Sequence, residues 1–255
     1  MFVGVSEDSS AVASVSVDGK TWSTETMADT EAWRDIASGL IDDGSTVFQT
    51  SIVVAIAESG TVNYSQDAVT WNTASSELPG TGDKSIAFGT IGTDNNRFVA
   101  ISDNSRDVVY SQNDGSTWTR ILAALPATGY SCLTYGKGLF VAARAGEAEI
   151  SYSTDGVTWT TTTDVAASAT WTDIEWGNGR FVLISSEGTI LYSLDGITWS
   201  NTGVSSIASP SRIAYGQGVF VITDSSLNTA IYHSEYGLEW SSLTVDTADV
   251  GYKAI

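Results

Sequence analysis

Four sets of side chains in this sequence could do chemistry. The first is a series of carboxylates, Asp18, Asp67, Asp155 and Asp195, with Asn113 in the same place of a further copy; each stands two residues after a Ser and a few before a Trp. A carboxylate can ligate a metal or carry a proton. Gly or Ala follows each of these Asp residues at once, however. Asp-Gly also marks a tight hairpin in which the Asp accepts from backbone N–H groups just beyond it. The second set is aromatic. Three residues before a recurrent Ile or Leu stand Trp33, Asp83, Tyr130, Trp171, Pro210 and Tyr252. Rings at Trp33, Tyr130, Trp171 and Tyr252 could stack on sugars as a binding rim; the same positions would equally serve packing between sheets. The third set is the seven arginines, which could clamp a carboxylate. The fourth is one His, His233, and one Cys, Cys132. A lone His gives neither a metal cluster nor a triad. A lone Cys in an apolar stretch reads as a small buried hydrophobe and allows no disulfide within the chain. No metal and no cofactor are expected.

The elements that must position these residues form a repeat. Tyr192-Ser193-Leu194-Asp195-Gly196-Ile197-Thr198-Trp199 is its clearest copy, and its Trp recurs at 22, 71, 118, 159, 199 and 240, in steps of 49, 47, 41, 40 and 41 residues. Such a period means a propeller, solenoid or array. One period from Trp171 reads as four strands: Trp171–Trp176, Arg180–Ile184, Thr189–Tyr192 and Ile197–Ser200, separated by Gly-rich and Asp-Gly turns. β-Branched and aromatic residues open the outermost strand, where the Trp can anchor a thin sheet against its neighbour.

The stretch resembles the Asp-box, the bacterial neuraminidase repeat, with its pattern Ser-x-Asp-x-Gly-x-Thr-Trp. Ser111-Gln112-Asn113-Asp114-Gly115-Ser116-Thr117-Trp118 has the full length; the copies at Asp18, Asp67, Asp155 and Asp195 are shortened or partial, and the last has Tyr236-Gly237 in place of Asp-Gly. The resemblance implies a propeller and a turn-capping role for Asp18, Asp67, Asn113, Asp155 and Asp195. It does not imply activity, since Asp-boxes also occur in non-enzymatic propellers. A sialidase of this kind needs three converging Arg, a Tyr nucleophile with a Glu partner and an acid/base Asp. Here Arg97 and Arg180 occupy one repeat position in different blades, only Arg34 and Arg212 lie on inner strands, and the Phe/Tyr-Arg-Ile-Pro signature is missing. Thirty acidic residues leave a glycosidase carboxylate pair open but mark none.

The expected fold is all-β: a six-bladed β-propeller of four-stranded antiparallel blades in a single domain over 1–255. Blades two to six fall at about 32–74, 84–121, 130–162, 170–202 and 210–244. Blade one is split, 1–26 plus 249–255. Phe2-Val3-Gly4-Val5 matches a second strand, and Gly251-Tyr252-Lys253-Ala254-Ile255 an inner one. The C-terminal strand would therefore join the N-terminal blade and close the ring, removing open sheet edges. A turn of helix is expected at Ile121–Leu125, ended by Pro126.

The net charge of −19 argues against nucleic acid and against an anionic membrane. No signal peptide and no apolar run long enough to span a membrane are visible. Runs such as Gly-Asn-Gly-Arg-Phe-Val beside Tyr-Ser-x-Asp-Gly-x-Thr-Trp resemble propellers of bacteriophage virions and bacterial surface proteins. That resemblance implies a non-catalytic structural or adhesion module: a tail, fibre or capsid-decoration component assembled in the host cytoplasm, or a part of a larger extracellular or cell-surface assembly. Its partners would be other virion or surface proteins, with host glycans as a further possibility. The alternative is a carbohydrate-active enzyme or soluble lectin using the aromatic rim.

Overall fold

The computed structural model describes the chain except residues 43–48, 76–77, 79, 83, 93–94, 163–164, 166–167, 205, 226–229 and 245–255. Among the described residues there is no helix. The strands build six antiparallel sheets. Sheet one holds β1 (Phe2–Val5), β2 (Ser10–Ser16) and β3 (Ser23–Glu31), and sheet two holds β4 (Trp33–Asp42), β5 (Gln49–Ala57), β6 (Val62–Ser65) and β7 (Asn72–Thr73). Sheet three is β8 (Lys84–Ile91), β9 (Asn95–Ser102), β10 (Val108–Ser111) and β11 (Thr119–Ile121). Sheet four is β12 (Tyr130–Gly136), β13 (Leu139–Arg144), β14 (Ile150–Ser153) and β15 (Thr160–Thr162). Sheet five is β16 (Trp171–Gly177), β17 (Arg180–Ser185), β18 (Ile190–Ser193) and β19 (Ser200–Asn201); sheet six is β20 (Pro210–Gly216), β21 (Val219–Asp224), β22 (Ala230–Ser234) and β23 (Ser241–Thr244).

The chain divides into two compact units. One comprises Met1–Gly129 with Thr154–Trp159, and so sheets one to three; the other comprises Tyr130–Ser153 with Thr160–Ile255, and so sheets four to six. Sheet one has three strands among the described residues, with β1 paired only to β2. The segment expected to complete it, 251–255, lies outside the described residues. Leu122 and Ala123 form a turn rather than the expected turn of helix, and Ala123 takes φ +52°. Asp107 Oδ1 accepts from the Ala123 N–H at 2.7 Å, which holds the segment in that turn.

Why the sheets stack is legible in repeated contacts. In four sheets an aromatic on the first strand faces a Phe directly across the ladder: Phe88 and Phe98, Tyr135 and Phe140, Trp176 and Phe181, Tyr215 and Phe220. Their centroids lie 4.5–4.8 Å apart with tilted rings, the geometry aromatic quadrupoles favour. Each Phe is fully buried. The first-strand aromatic also lies flat over a glycine of the preceding sheet. A Cβ on Gly39 would stand 2.2 Å from Phe88, one on Gly136 2.2 Å from Trp176, and one on Gly177 2.2 Å from Tyr215. These three glycines give close approach, not positive φ.

A bulge recurs on the first strand of sheets two, four, five and six, at Arg34, Ser131, Thr172 and Ser211. In sheets two and five the residue after it is an Asp that ties two sheets together. Asp35 Oδ2 accepts from the Ile86 N–H and the Ser85 hydroxyl, both at 2.9 Å, and Asp173 Oδ2 accepts from the Ile213 N–H at 2.9 Å.

Candidate functional site

At each motif turn the last two strands of a sheet are joined, and the carboxylate caps the backbone beyond it. Asp18 Oδ1 accepts from the N–H groups of Thr21 at 2.7 Å and Lys20 at 2.8 Å. Asp67 does the same for Thr70 and Val69, Asp155 for Thr158 and Val157, and Asp195 for Thr198 and Ile197. The motif Ser completes the turn: the Gly196 N–H donates to Ser193 Oγ at 2.8 Å, as Gly19 and Gly237 donate to Ser16 and Ser234. Donation to the ionised form lowers a carboxyl pKa. The Thr21 and Lys20 N–H groups hold Asp18 at about 2, and those of Thr70 and Val69 hold Asp67 at about 2. At Asp195 partial burial pushes upward, but the Thr198 and Ile197 donors outweigh it and the pKa is lowered. Acids this strong are poor proton donors and bases near neutral pH.

Asn113 departs from the pattern. Its Oδ1 accepts from the Ser111 hydroxyl at 2.6 Å and its amide donates to Thr117 Oγ1, while Asp114 takes the Ser116 N–H at 3.2 Å. The extra residue in this copy moves the backbone acceptor one place along. Among the described residues no group of three His, Cys, Asp or Glu side chains could hold a metal.

The motif Trp residues are not equivalent. Trp71 and Trp199 are buried, and Trp71, Trp118 and Trp199 donate Nε1–H to the carbonyl three residues back. Trp22 is 50% exposed.

The rim aromatics lie elsewhere than on a surface. Trp33, Tyr130 and Trp171 are 0–1% exposed and offer no ring face to a ligand. Trp33 Nε1 donates to the Ser10 carbonyl at 2.9 Å and Trp171 Nε1 to the Glu147 carbonyl at 2.8 Å. Trp33 thus latches β4 to the start of β2 in sheet one, and Trp171 latches β16 to the turn between β13 and β14 in sheet four. The Tyr130 hydroxyl pairs with Ser151 Oγ at 2.6 Å, and burial raises its pKa. Tyr252 lies outside the described residues. Cys132 is buried and free, its thiol pKa pushed far up by burial. His233 sits in β22, half-buried and paired with Val221.

Six arginines find an oxygen. Arg34 meets Glu58 and, at 3.8 Å, Glu7; Arg120 meets Asp107; Arg144 meets Glu149 at 2.9 Å. Arg97 donates to the Asp155 carbonyl with its guanidinium 4.2 Å above Tyr110, Arg106 to the Leu125 carbonyl, and Arg212 to the Ser211 carbonyl. Arg180 instead lies over two rings, Tyr236 at 5.5 Å and Tyr192 at 5.9 Å.

Loops carried on a rigid scaffold are where binding usually sits. Three connections carry a buried apolar plug, Leu78, Leu125 and Ile207, 0–5% exposed, and Met27 in β3 is buried likewise. The backbone locks them further. The Leu78 N–H donates to the Gly60 carbonyl at 2.8 Å, and a Cβ on Gly60 or Gly188 would stand 2.4 Å from the carbonyl oxygen of Leu78 or Ile207. A shallow groove remains beside this junction in sheet five, lined by Glu187, Gly188, Asn201, Gly203, Val204 and Ile207. The plugs had a faint signal, a Leu or Ile standing among small residues in these connections. The bulge Asp had a clearer one, the spacing Trp-x-Asp-Ile shared by 33–36 and 171–174.

No family model matches the chain, and no curated protein matches it. Solved structures do. A virginiamycin B lyase from Staphylococcus aureus, crystallised with quinupristin, superposes with TM-score 0.73 at 13% identity, over 94% of this chain and 79% of the lyase. YCF48, solved bound to the D1 peptide, gives 0.62 at 17% identity over 92% of this chain and 75% of its own. A chain of the nidogen/laminin complex gives 0.65 at 9% identity, over 93% and 91%. These are β-propeller-like proteins whose functions diverge, and likeness at such identity carries architecture alone. Among the described residues the chain is all-β and propeller-like, with six antiparallel sheets.

Proposed function

We propose that this chain is a non-catalytic attachment module that binds protein partners within a larger assembly. The setting we favour is a bacteriophage particle, as a tail, fibre or capsid-decoration component. One observation carries the reading. The side chains best suited to chemistry are spent on architecture, copy after copy: the motif carboxylates cap turns, the rim aromatics are buried latches, and six arginines clasp neighbouring groups. A rigid scaffold so built offers a surface rather than a reaction centre. Protein binding by propellers of similar architecture, YCF48 with the D1 peptide and the nidogen/laminin pair, supports the class of function.

We also infer that the six sheets close into a ring, with segment 251–255 pairing to β1 as the fourth strand of sheet one. Among the described residues β1 pairs only with β2, and Phe2 upon it is 53% exposed; both support this. Removing Gly251–Ile255 should sharply lower the melting temperature, and an unchanged melt would refute the closure.

The attachment reading is tested by co-purification from the native source, beside a glycan array and a hydrolysis screen. Recovery in assembled particles with no sugar bound and no turnover is the expected result. Turnover, or saturable sugar binding at discrete side chains, would overturn it.

A further inference from the structure

We propose that Arg180 is the point at which this module takes a carboxylate of its polypeptide partner. The proposal deepens the attachment reading and rests on it. Arg180 is the arginine for which no oxygen acceptor is found among the described residues, in a chain with 30 carboxylates. Its Nε is buried without a hydrogen-bond partner. The guanidinium is held by the rings of Tyr192 and Tyr236, which fix its plane and leave its N–H edges to be satisfied from outside.

The repeat shows why this site differs. Arg97 occupies the same place in sheet three, and there the guanidinium donates to the Asp155 carbonyl, at the motif Asp of the following sheet. The residue equivalent to Asp155 for Arg180 is Tyr236, in the motif copy that lost its Asp. Tyr236, 47% exposed, carries the same main-chain carbonyl that Arg97 takes at Asp155, but its ring stands under the Arg180 guanidinium instead. At this copy the half-buried Arg180 thus rests on two rings where Arg97 takes an oxygen.

The ligand class follows from the donor set. A planar guanidinium reads a carboxylate in bidentate fashion. Little else at the site can read a ligand, because the Asn178 amide is already donating to the Glu235 carbonyl at 3.0 Å. A free acidic sugar would need its hydroxyls met as well. An acidic side chain or a chain terminus on a protein can take its remaining contacts elsewhere. The adjacent Glu235 and the net charge of −19 repel loose anions, so the contact favours a carboxylate delivered by a complementary surface.

The test uses the full chain in NMR titrations that follow the Arg180 Nε–H and Gly179 amide signals. The probes are a short acidic peptide with a free C-terminus, a neutral peptide with an amidated C-terminus, and glucuronic acid. Saturable shifts with the acidic peptide, absent with the neutral one and weakened about ten-fold or more in Arg180→Lys, are expected. Arg120→Lys, an exposed arginine outside the cluster, should leave them unchanged. If Arg180→Lys loses the fold, Tyr236→Ala with Arg180 retained should still respond to the acidic peptide. Shifts that persist in Arg180→Lys, no shift with the acidic peptide, or a response to glucuronic acid alone would overturn the proposal. A native partner captured equally well by wild type and Arg180→Lys would also overturn it, while leaving the attachment reading intact.

Discussion

Replacing Gly177 by Ala tests the stacking argument at one atom. The added Cβ would lie 2.2 Å from both Cγ and Cδ2 of Tyr215 and 2.7 Å from Cδ1. Ordinary carbon contacts are about 3.5–4.0 Å, so the ring would have to retreat by roughly 1.5 Å. It cannot do so freely, since Phe220 stands behind it at 4.7 Å between centroids. Overpacking of this kind costs about 1–3 kcal/mol. Gly177 has no positive φ, so alanine adds no backbone strain there and returns about 0.5 kcal/mol by restricting the unfolded chain. The net loss is about 1.5 kcal/mol, which lowers the melting temperature of a chain this size by roughly 3–6 °C. Gly216 is the internal control. It holds the same repeat position in sheet six, has no positive φ, and has no atom within 4 Å of a Cβ, so alanine there should be neutral or slightly stabilising. Truncating the ring in a Gly177→Ala/Tyr215→Ala pair should show a favourable coupling of about 0.5 kcal/mol or more in a double-mutant cycle. Calorimetric melts of the four variants decide it. Equal melts for Gly177→Ala and Gly216→Ala, or no coupling, would refute the claim that glycine is there to seat the next sheet.

Other outcomes follow from the turns and the connections. Asp18 and Asp67 have folded pKa values of about 2 against an ordinary 3.8; a depressed value contributes stability that is present above about pH 4 and lost as pH falls through about 2. An acid titration of stability should therefore fall across that window, and less steeply in Asp67→Asn, which keeps the acceptor oxygen and cannot titrate. Leu125→Ala removes a fully buried plug and should cost about 2–5 kcal/mol, read as an earlier urea midpoint with an unchanged slope. Asp195→Ala strips the acceptor from the Ile197 and Thr198 N–H groups and should cost about 1–2 kcal/mol by the same assay.

The architecture was legible because its signals are local. Period, alternation and turn chemistry are properties of adjacent residues, and they place the first three strands of sheet five with their Asp-Gly and Gly-Asn-Gly turns; the outer strand, expected at Ile197–Ser200, is Ser200–Asn201, because the Asp195 cap holds Ile197 and Thr198 in the turn. What escaped was set between sheets. Trp33 and Trp171 gave the same sequence signal whether their rings faced solvent or a neighbouring turn, and only the carbonyls of Ser10 and Glu147, 23 and 24 residues upstream, decide for burial. The connections looked polar because Ser, Thr and Gly dominate them. Leu78, Leu125 and Ile207 are enough to pin three of them, since one buried side chain outweighs several exposed hydroxyls. The openness of Arg180 could not be read from its own position, which matches Arg97. It lies in whether the guanidinium takes the main-chain carbonyl of the following motif, as Arg97 does, or the rings of Tyr192 and Tyr236.

One clasp has a consequence for how such a chain can change over generations. Lys137 Nζ donates to the Leu194 carbonyl at 2.9 Å, and Asn178 donates to the carbonyl of Glu235. Both grips land on main-chain oxygen at the second residue of a motif. Every amino acid supplies that oxygen, so the anchor is blind to the side chain above it. Across the six copies this place is held by Val17, Gln66, Gln112, Thr154, Leu194 and Glu235. Evolution can thus repaint the tip of each turn with charge, grease or amide while the scaffold beneath stays in alignment, and recognition can drift without a toll on folding.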